Sequence, residues 1–173
     1  MYHSLINETV SLMKFRLEQD FEAPVERVLQ AKEALAHERH SEIEHEDVIE
    51  HVEEQDREFK KKRLSLGDKL PEIVLKMMPR EMRYLLQESS YENGGRHHTF
   101  RVYAENHEDK FIMSGESRYE ENGEGRCKRI YEVSVKANIP LVGGIIENQV
   151  GGSYRKNLEN DHKLIKNYLE GQQ

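Results

Sequence analysis

The side chains most able to do chemistry in this 173-residue chain are its nine histidines and one cysteine. His37, His40, His45 and His51 fall in one short stretch among Glu38, Glu42, Glu44, Glu46 and Asp47. Imidazoles and carboxylates together bind zinc and other divalent ions. Two ligands on one helix face, however, need a spacing of about four residues. His37 and His40 are three apart and no second pair completes a motif. The stretch therefore reads as a solvated, pH-sensitive acidic face, and no metal is expected. His98 is different, because it falls in phase with Phe100 and Val102 on one face of a strand. Gln87, Tyr91, Arg129, Tyr131 and Tyr154 are candidates to join it. A His, an Arg and Tyr hydroxyls in an apolar cavity suit a polar head group, or act as acid and base. Taken singly, each reads more simply as a strand end or a partner to a buried neighbour. As a group they are what orienting an amphipathic ligand requires.

Cys127 shares strand parity with Arg129, which would lower its pKa, but no motif surrounds it and it reads as a small buried hydrophobe. There is no G-x-G-x-x-G, P-loop or G-x-S-x-G. Gly143-Gly144 and Gly151-Gly152 sit inside a helical pattern, which is wrong for cradling phosphate. No catalytic residue and no cofactor is assigned.

Lys and Arg number 26 against 33 Asp and Glu, a formal charge of −7 that argues against a general nucleic-acid binder. The basic run Arg57, Lys60, Lys61, Lys62, Arg63 is the one strong positive patch. It reads as an outer strand paired with the acids of Glu50–Glu58, which also blunts an edge. Its functional alternative is transient contact with an anionic membrane surface through Lys60, Lys61, Lys62 and Arg63. The least polar run, Ala137–Ile146, holds Asn138, Pro140 and two Gly and cannot span a bilayer. Met1–Leu12 lacks a basic start and a cleavage pattern and reads as an N-terminal extension. A cytoplasmic protein is expected, and a lone Cys fits a reducing compartment.

These side chains need elements to position them. Met13–Phe21 alternates, with Phe15, Leu17, Gln19 and Phe21 on one face. Pro24 to about Ala36 is an amphipathic helix through Val25, Val28, Leu29 and Leu35. A short second helix is expected after Ser41. Val48–Val52 and Glu58–Leu66 read as strands about a turn at Glu54–Arg57. Pro71–Met78 suits a short helix that gates one end of a cavity through Met77 and Met78. Met82–Glu92 and His97–Glu105 flank Asn93-Gly94, a strong hairpin signal. A two-residue turn there sets Leu85 opposite Val102, Gln87 opposite Phe100 and Ser89 opposite His98. Lys110–Tyr119 and Arg126–Ala137 form a second hairpin. A register with Met113 opposite Val133 and Gly115 opposite Tyr131 matches apolar to apolar and calls for an odd loop. Leu141–Leu169 is a long helix with Val142, Ile146, Val150, Tyr154, Leu158, Ile165 and Leu169 in phase and a gap at Asp161/His162. The sum is an α+β domain over residues 13–170: a seven-stranded curved antiparallel sheet, two short helices after strand 1, and a long C-terminal helix.

Two motifs carry a resemblance. Ala23-Pro24-Val25-Glu26-Arg27-Val28 follows the first strand, and Pro140-Leu141-Val142-Gly143-Gly144-Ile145-Ile146-Glu147 runs from the last strand into the helix. In these and in its element order the chain resembles the START-like superfamily (SRPBCC, helix-grip), and in the second motif an uncharacterised bacterial branch of it. It departs from that branch in lacking Trp and in a His- and Glu-rich Ala36–Glu54 region. The resemblance implies a cavity between sheet and helix for a lipid, sterol or polyketide-like molecule. Its expected lining is Phe15, Leu17, Leu85, Phe100, Val102, Met113, Tyr131, Val133, Ile146, Val150 and Tyr154, with Gln87, His98 and Arg129 orienting the ligand. Non-catalytic binding of a hydrophobic small molecule is the leading expectation. The alternatives are a cyclase or dehydratase using His98 or a pocket Tyr as acid–base, and an interaction module with a filled core.

Overall fold

A computed structural model describes residues 12–36, 45–65, 72–77 and 79–171. The elements in chain order are β1 (Met13–Phe21), α1 (Val25–Ala34), β2 (His45–Glu54), β3 (Arg57–Ser65), α2 (Glu72–Met77), β4 (Tyr84–Glu92), β5 (His97–Ala104), β6 (Phe111–Glu121), β7 (Cys127–Ala137) and α3 (Gly143–Glu170). The seven strands form one antiparallel sheet in the order β1-β7-β6-β5-β4-β3-β2. α3, 28 residues or about 42 Å at 1.5 Å per residue, packs on β7 and β1 and against α1.

The strands run with the expected parity but not the expected registers. Leu85 faces Ala104, Gln87 faces Val102, Ser89 faces Phe100 and Tyr91 faces His98. Met113 faces Val135 and Gly115 faces Val133. Both hairpins are thus displaced by two residues, because both loops are longer than assumed. Asn93, Gly94 and Gly95 all take positive φ, and pairing closes only at Glu92–His97. In the second hairpin the Asn122 N–H donates to the Arg126 carbonyl beyond the last pair, Glu121–Cys127. An even displacement leaves every side chain on its face, since side chains alternate with period two. β2 starts earlier than expected, at His45. The short helix sought after Ser41 lies outside the described residues as far as residue 44, and from His45 the chain is strand. The second short helix that is described, α2, follows β3 instead. Pro71 and Met78 at its flanks lie outside the described residues, as do His37 and His40.

The inner face of the sheet holds the core. Leu85, Phe100, Val102, Ala104, Met113, Tyr131, Val133 and Val135 pack against Ile146 and Leu158 of α3, with Phe15, Leu17, Val150 and Tyr154 half-buried around them. A second cluster joins Phe21, Val25, Val28, Ala31 and Cys127 to Ile165 and Leu169. Cys127 is wholly buried, and burial pushes its thiol up to about 11 despite nearby Arg129, so it acts as a small hydrophobe. The outer face is a lattice of ion pairs. Glu132 binds Arg16 (2.8 Å) and Arg118 (3.2 Å), and Glu18 binds Lys128 (2.8 Å).

The basic run lies within β3, and strand alternation divides it. Lys60 and Lys62 share the face of Leu64, while Lys61 and Arg63 share the opposite one. Each has a carboxylate: Lys60 meets Glu58, Lys61 meets Glu88, Lys62 meets Glu46 and Arg63 meets Glu105. The four cations therefore do not form a single patch.

The Pro-Leu-Val-Gly-Gly-x-Ile-Glu segment is the joint between sheet and helix. A Cβ at Gly143 would collide with the Ala137 carbonyl oxygen at the end of β7. Glu147, one turn on and buried, accepts the Ala137 N–H at 2.9 Å. Ile146 between them is fully buried. Farther along α3, a Cβ at Gly151 would strike the Met13 sulfur, whereas one at Gly152 would meet nothing within 4 Å. The two kinds of glycine should respond oppositely to alanine. Gly143→Ala is expected to cost about 2 kcal/mol in urea unfolding, from forced displacement of backbone. Gly152→Ala is expected to stabilise by about 0.5–1 kcal/mol, from helix propensity alone.

Candidate functional site

Where β4 and β5 leave their hairpin, Tyr91 and His98 stand directly opposite each other on the inner face. Their rings stack with centroids 4.3 Å apart and 7° between planes. His98 in turn stacks on Phe100 at 5.6 Å, Phe100 lies 5.6 Å from Tyr154 of α3, and Tyr154 lies 6.5 Å from Phe15 of β1. The result is an aromatic line crossing from the open side of the sheet to the strand beneath the helix. At its open end is a cavity of about 310 Å³ lined by Tyr91, His98, Tyr131 and Tyr154, by Lys32 of α1, and by Asn157, Leu158, Asn160, Asp161 and Leu164 of α3. That volume is at the lower end of small-molecule sites, which run from about 300 to 1,000 Å³.

A larger depression, about 610 Å³, lies over β1, β5, β6 and β7 beside Gly115, and another of about 470 Å³ lies beside β2. Size does not decide between them. The first is bordered by Arg16, Glu116 and Glu132, whose charges already pair with one another or with Arg118. The 310 Å³ cavity has apolar aromatic walls and a polar group left over. His98 Nε2 is buried, with no hydrogen-bond partner among the described residues. Burial pushes its imidazole down to about 4, and the nearby Lys32 and His97 charges push the same way. The ring is therefore neutral at pH 7, and its open nitrogen sits where a hydrogen bond is worth most. Burial raises the Tyr154 phenol well above its usual range.

Of the residues expected at the site, His98, Tyr131 and Tyr154 line this cavity, and Phe15 and Phe100 back it through ring contacts. Leu85, Val102, Met113, Val133 and Ile146 are buried in the core, with Leu17 and Val150 half-buried against it. Gln87 is half-buried and donates to the Ser89 hydroxyl at 3.2 Å.

Arg129 is not among the lining residues. It is completely buried, and its Nε and Nη2 donate to Gln19 Oε1 at 2.9 and 2.6 Å. Nη2 also meets Asp161 at 3.1 Å, and Nη1 donates to the Tyr119 hydroxyl at 3.4 Å. The Phe21 and Tyr131 rings lie 5.4 and 5.1 Å from its guanidinium carbon. Burial opposes its charge, but the guanidinium stays protonated, with the Asp161 carboxylate and the Tyr119 hydroxyl bound to it. Gln19, whose side chain donates to the Leu158 carbonyl at 2.9 Å, completes a clip between β7, β1 and α3.

Sequence reasoning missed Lys32, Asn157, Asn160 and Asp161. For Asp161 the signal was present as the gap in the α3 stripe: the gap faces Arg129. For Lys32 it was a cation in phase with Val25, Val28 and Leu29. Among the described residues no three His, Cys, Asp or Glu side chains gather as a metal ion would require. No helix among them is long and apolar enough to cross a membrane.

The architecture is that of the START-like helix-grip fold, and known structures share it. Norcoclaurine synthase from Thalictrum flavum, a point mutant bound to a transition-state analogue, superposes with a TM-score of 0.62 at 10% identity, over 95% of this chain and 99% of that one. The ZhuI aromatase/cyclase from Streptomyces sp. R1128 gives 0.58 at 11% identity, over 92% and 94%. A protein from Thermus thermophilus gives 0.56 at 19% identity, over 90% and 95%. No curated protein matches by sequence. A family model described as "Protein of unknown function (DUF2505)" matches residues 16–169.

Two measurements check the site's electrostatics. An unfolded His, with pKa about 6.5, takes up a proton that folded His98 refuses until about pH 4. His98 should therefore remove stability as pH falls from 6.5 to 4, by up to roughly 3 kcal/mol. Urea titrations should show a shallower loss over that window in His98→Phe than in the parent protein. Arg129→Met should cost about 3–5 kcal/mol at pH 7, because Asp161 and Gln19 lose their partner.

Proposed function

This chain belongs to that family of unknown function, and from its fold and the chemistry of its cavity we propose that it binds a hydrophobic or amphipathic small molecule without transforming it. The observation that carries the reading is the buried Nε2 of His98, which no described residue partners, at the end of an aromatic line. Stacked and tilted rings favour a flat or extended apolar body, which gains about 25 cal/mol per Å² of apolar surface buried. The imidazole nitrogen fixes one polar group of that body, and Lys32, Asn157 and Asp161 at the mouth meet whatever remains polar. Relatives of the fold include proteins named as a cyclase and a synthase, so an acid–base enzyme is the second reading. Against it stands the state of the site. An imidazole held near 4 and a phenol held above its usual range are far from neutrality, where acid–base groups work best. The cavity itself weighs against a filled-core interaction module.

The test is native mass spectrometry of the purified protein, followed by extraction and identification of what was bound. A stoichiometric apolar mass is the expected result. His98→Phe, which keeps the ring and removes the nitrogen, should weaken the recovered ligand about tenfold, the value of one hydrogen bond of 1.4 kcal/mol. Turnover of the recovered compound, abolished in His98→Phe with binding retained, would instead establish the enzyme.

A further inference from the structure

We infer that the outer edge of β2 is a docking site for an extended basic segment of a partner protein, which adds to the sheet as a further strand. Among the described residues β2 hydrogen-bonds to β3 alone, at the end of the sheet farthest from the α3 contacts. Every side chain from Glu46 to Glu54 is exposed, including Val48, Ile49 and Val52 at 60, 53 and 42%. An edge of this length with no proline presents a row of N–H and C=O groups to any strand that can lie beside it.

Charge selects which strand that is. Glu46, Asp47, Glu50, Glu53 and Glu54 lie within the strand. Like charges placed opposite one another repel, so a second copy of β2 is excluded, and a basic strand is attracted by the same acids. The cations of β3 do not absorb them all. Lys61 faces Glu50 in register and Arg57 faces Glu54, yet Lys61 turns to Glu88 and Arg57 to Glu92, both at 3.0 Å on β4. Among the described residues no ion pair takes up Glu50 or Glu54, and their charge is left to act on the open side. Apolar purchase is available on the same face: Val52 and Phe59, paired across the ladder, line the 470 Å³ depression with Glu54, Arg57 and Ser90. The register shift between Val48 and Glu50 interrupts the ladder, so Glu50–Glu54 is the stretch suited to pairing. An incoming strand that alternates Lys or Arg with Val, Ile or Phe satisfies both charge and groove.

The probe is a short peptide of alternating lysine and valine, added to the full chain labelled with ¹⁵N. In the free protein the outward amides of β2 should exchange quickly with solvent. The peptide should slow them by about tenfold or more. Methylating alternate peptide amides, which blocks pairing and keeps the charge, should weaken binding at least about tenfold, as should the double change E50K/E54K. Outward amides that are already slow in the free protein would mean the edge is covered by another part of the chain or a second copy, and would overturn the proposal. Binding indifferent to methylation would reduce it to charge alone and overturn it too, as would no binding at millimolar peptide.

Discussion

A single buried guanidinium determines where the long helix can lie. Arg129 reaches from β7 to Gln19 of β1, to Tyr119 of β6 and to Asp161 of α3, and Gln19 passes the connection on to the α3 backbone at Leu158. Apolar packing alone would let a helix slide along a sheet, because burial is non-directional. Directed hydrogen bonds to a buried charge do not permit that: each displaced partner would be left unsatisfied in a poorly polarisable interior. The aromatic cavity depends on this fixity. Tyr154 lies two helical turns before Asp161 and contacts both Phe100 and Phe15, so a helix shifted by one turn would withdraw its wall. The joint at Gly143 and Glu147 sets the other end of α3 by contact with one peptide unit, Ala137.

Much of the fold was legible because its signals are short-ranged. Alternation in Met13–Phe21 and the helical stripe from Val142 to Leu169 each report one element and its buried face. The hairpin registers were not legible to the residue, because three consecutive positive-φ residues at Asn93–Gly95 make a wider loop than the Asn-Gly pair suggests. Yet the displacement was even, and His98 kept the face assigned to it. Whether an inward residue lines space or fills it is a property of packing in three dimensions. Val102 and Met113 share a face with His98 and Tyr131 but are spent on the core. The polar half of the cavity comes from α1 and α3, brought together by tertiary packing that no local period reveals. Type and parity alone point Arg129 at a ligand; its partners Gln19 and Asp161 lie 110 and 32 residues away.

The two faces of the sheet solve different problems with the same period of two. Inward residues pack into two clusters against α3, and outward residues make a lattice in which Glu132 serves Arg16 and Arg118 at once. Exposed pairs of this kind contribute little each, about 0–1 kcal/mol. They also make the outer surface a poor template for unselective association. Toward β2 the lattice ends and the strand keeps a charge of one sign.

The stacked imidazole of His98 couples binding in the cavity to the stability of the fold. Its Nε2 is buried and finds no hydrogen-bond partner among the described residues of the folded chain. A ligand group that bonds this nitrogen makes a contact available only in the folded chain. Occupancy and folding are then thermodynamically linked, and the ligand becomes a missing piece of the interior, so that loading would register as resistance to unfolding before it registered as any change of shape.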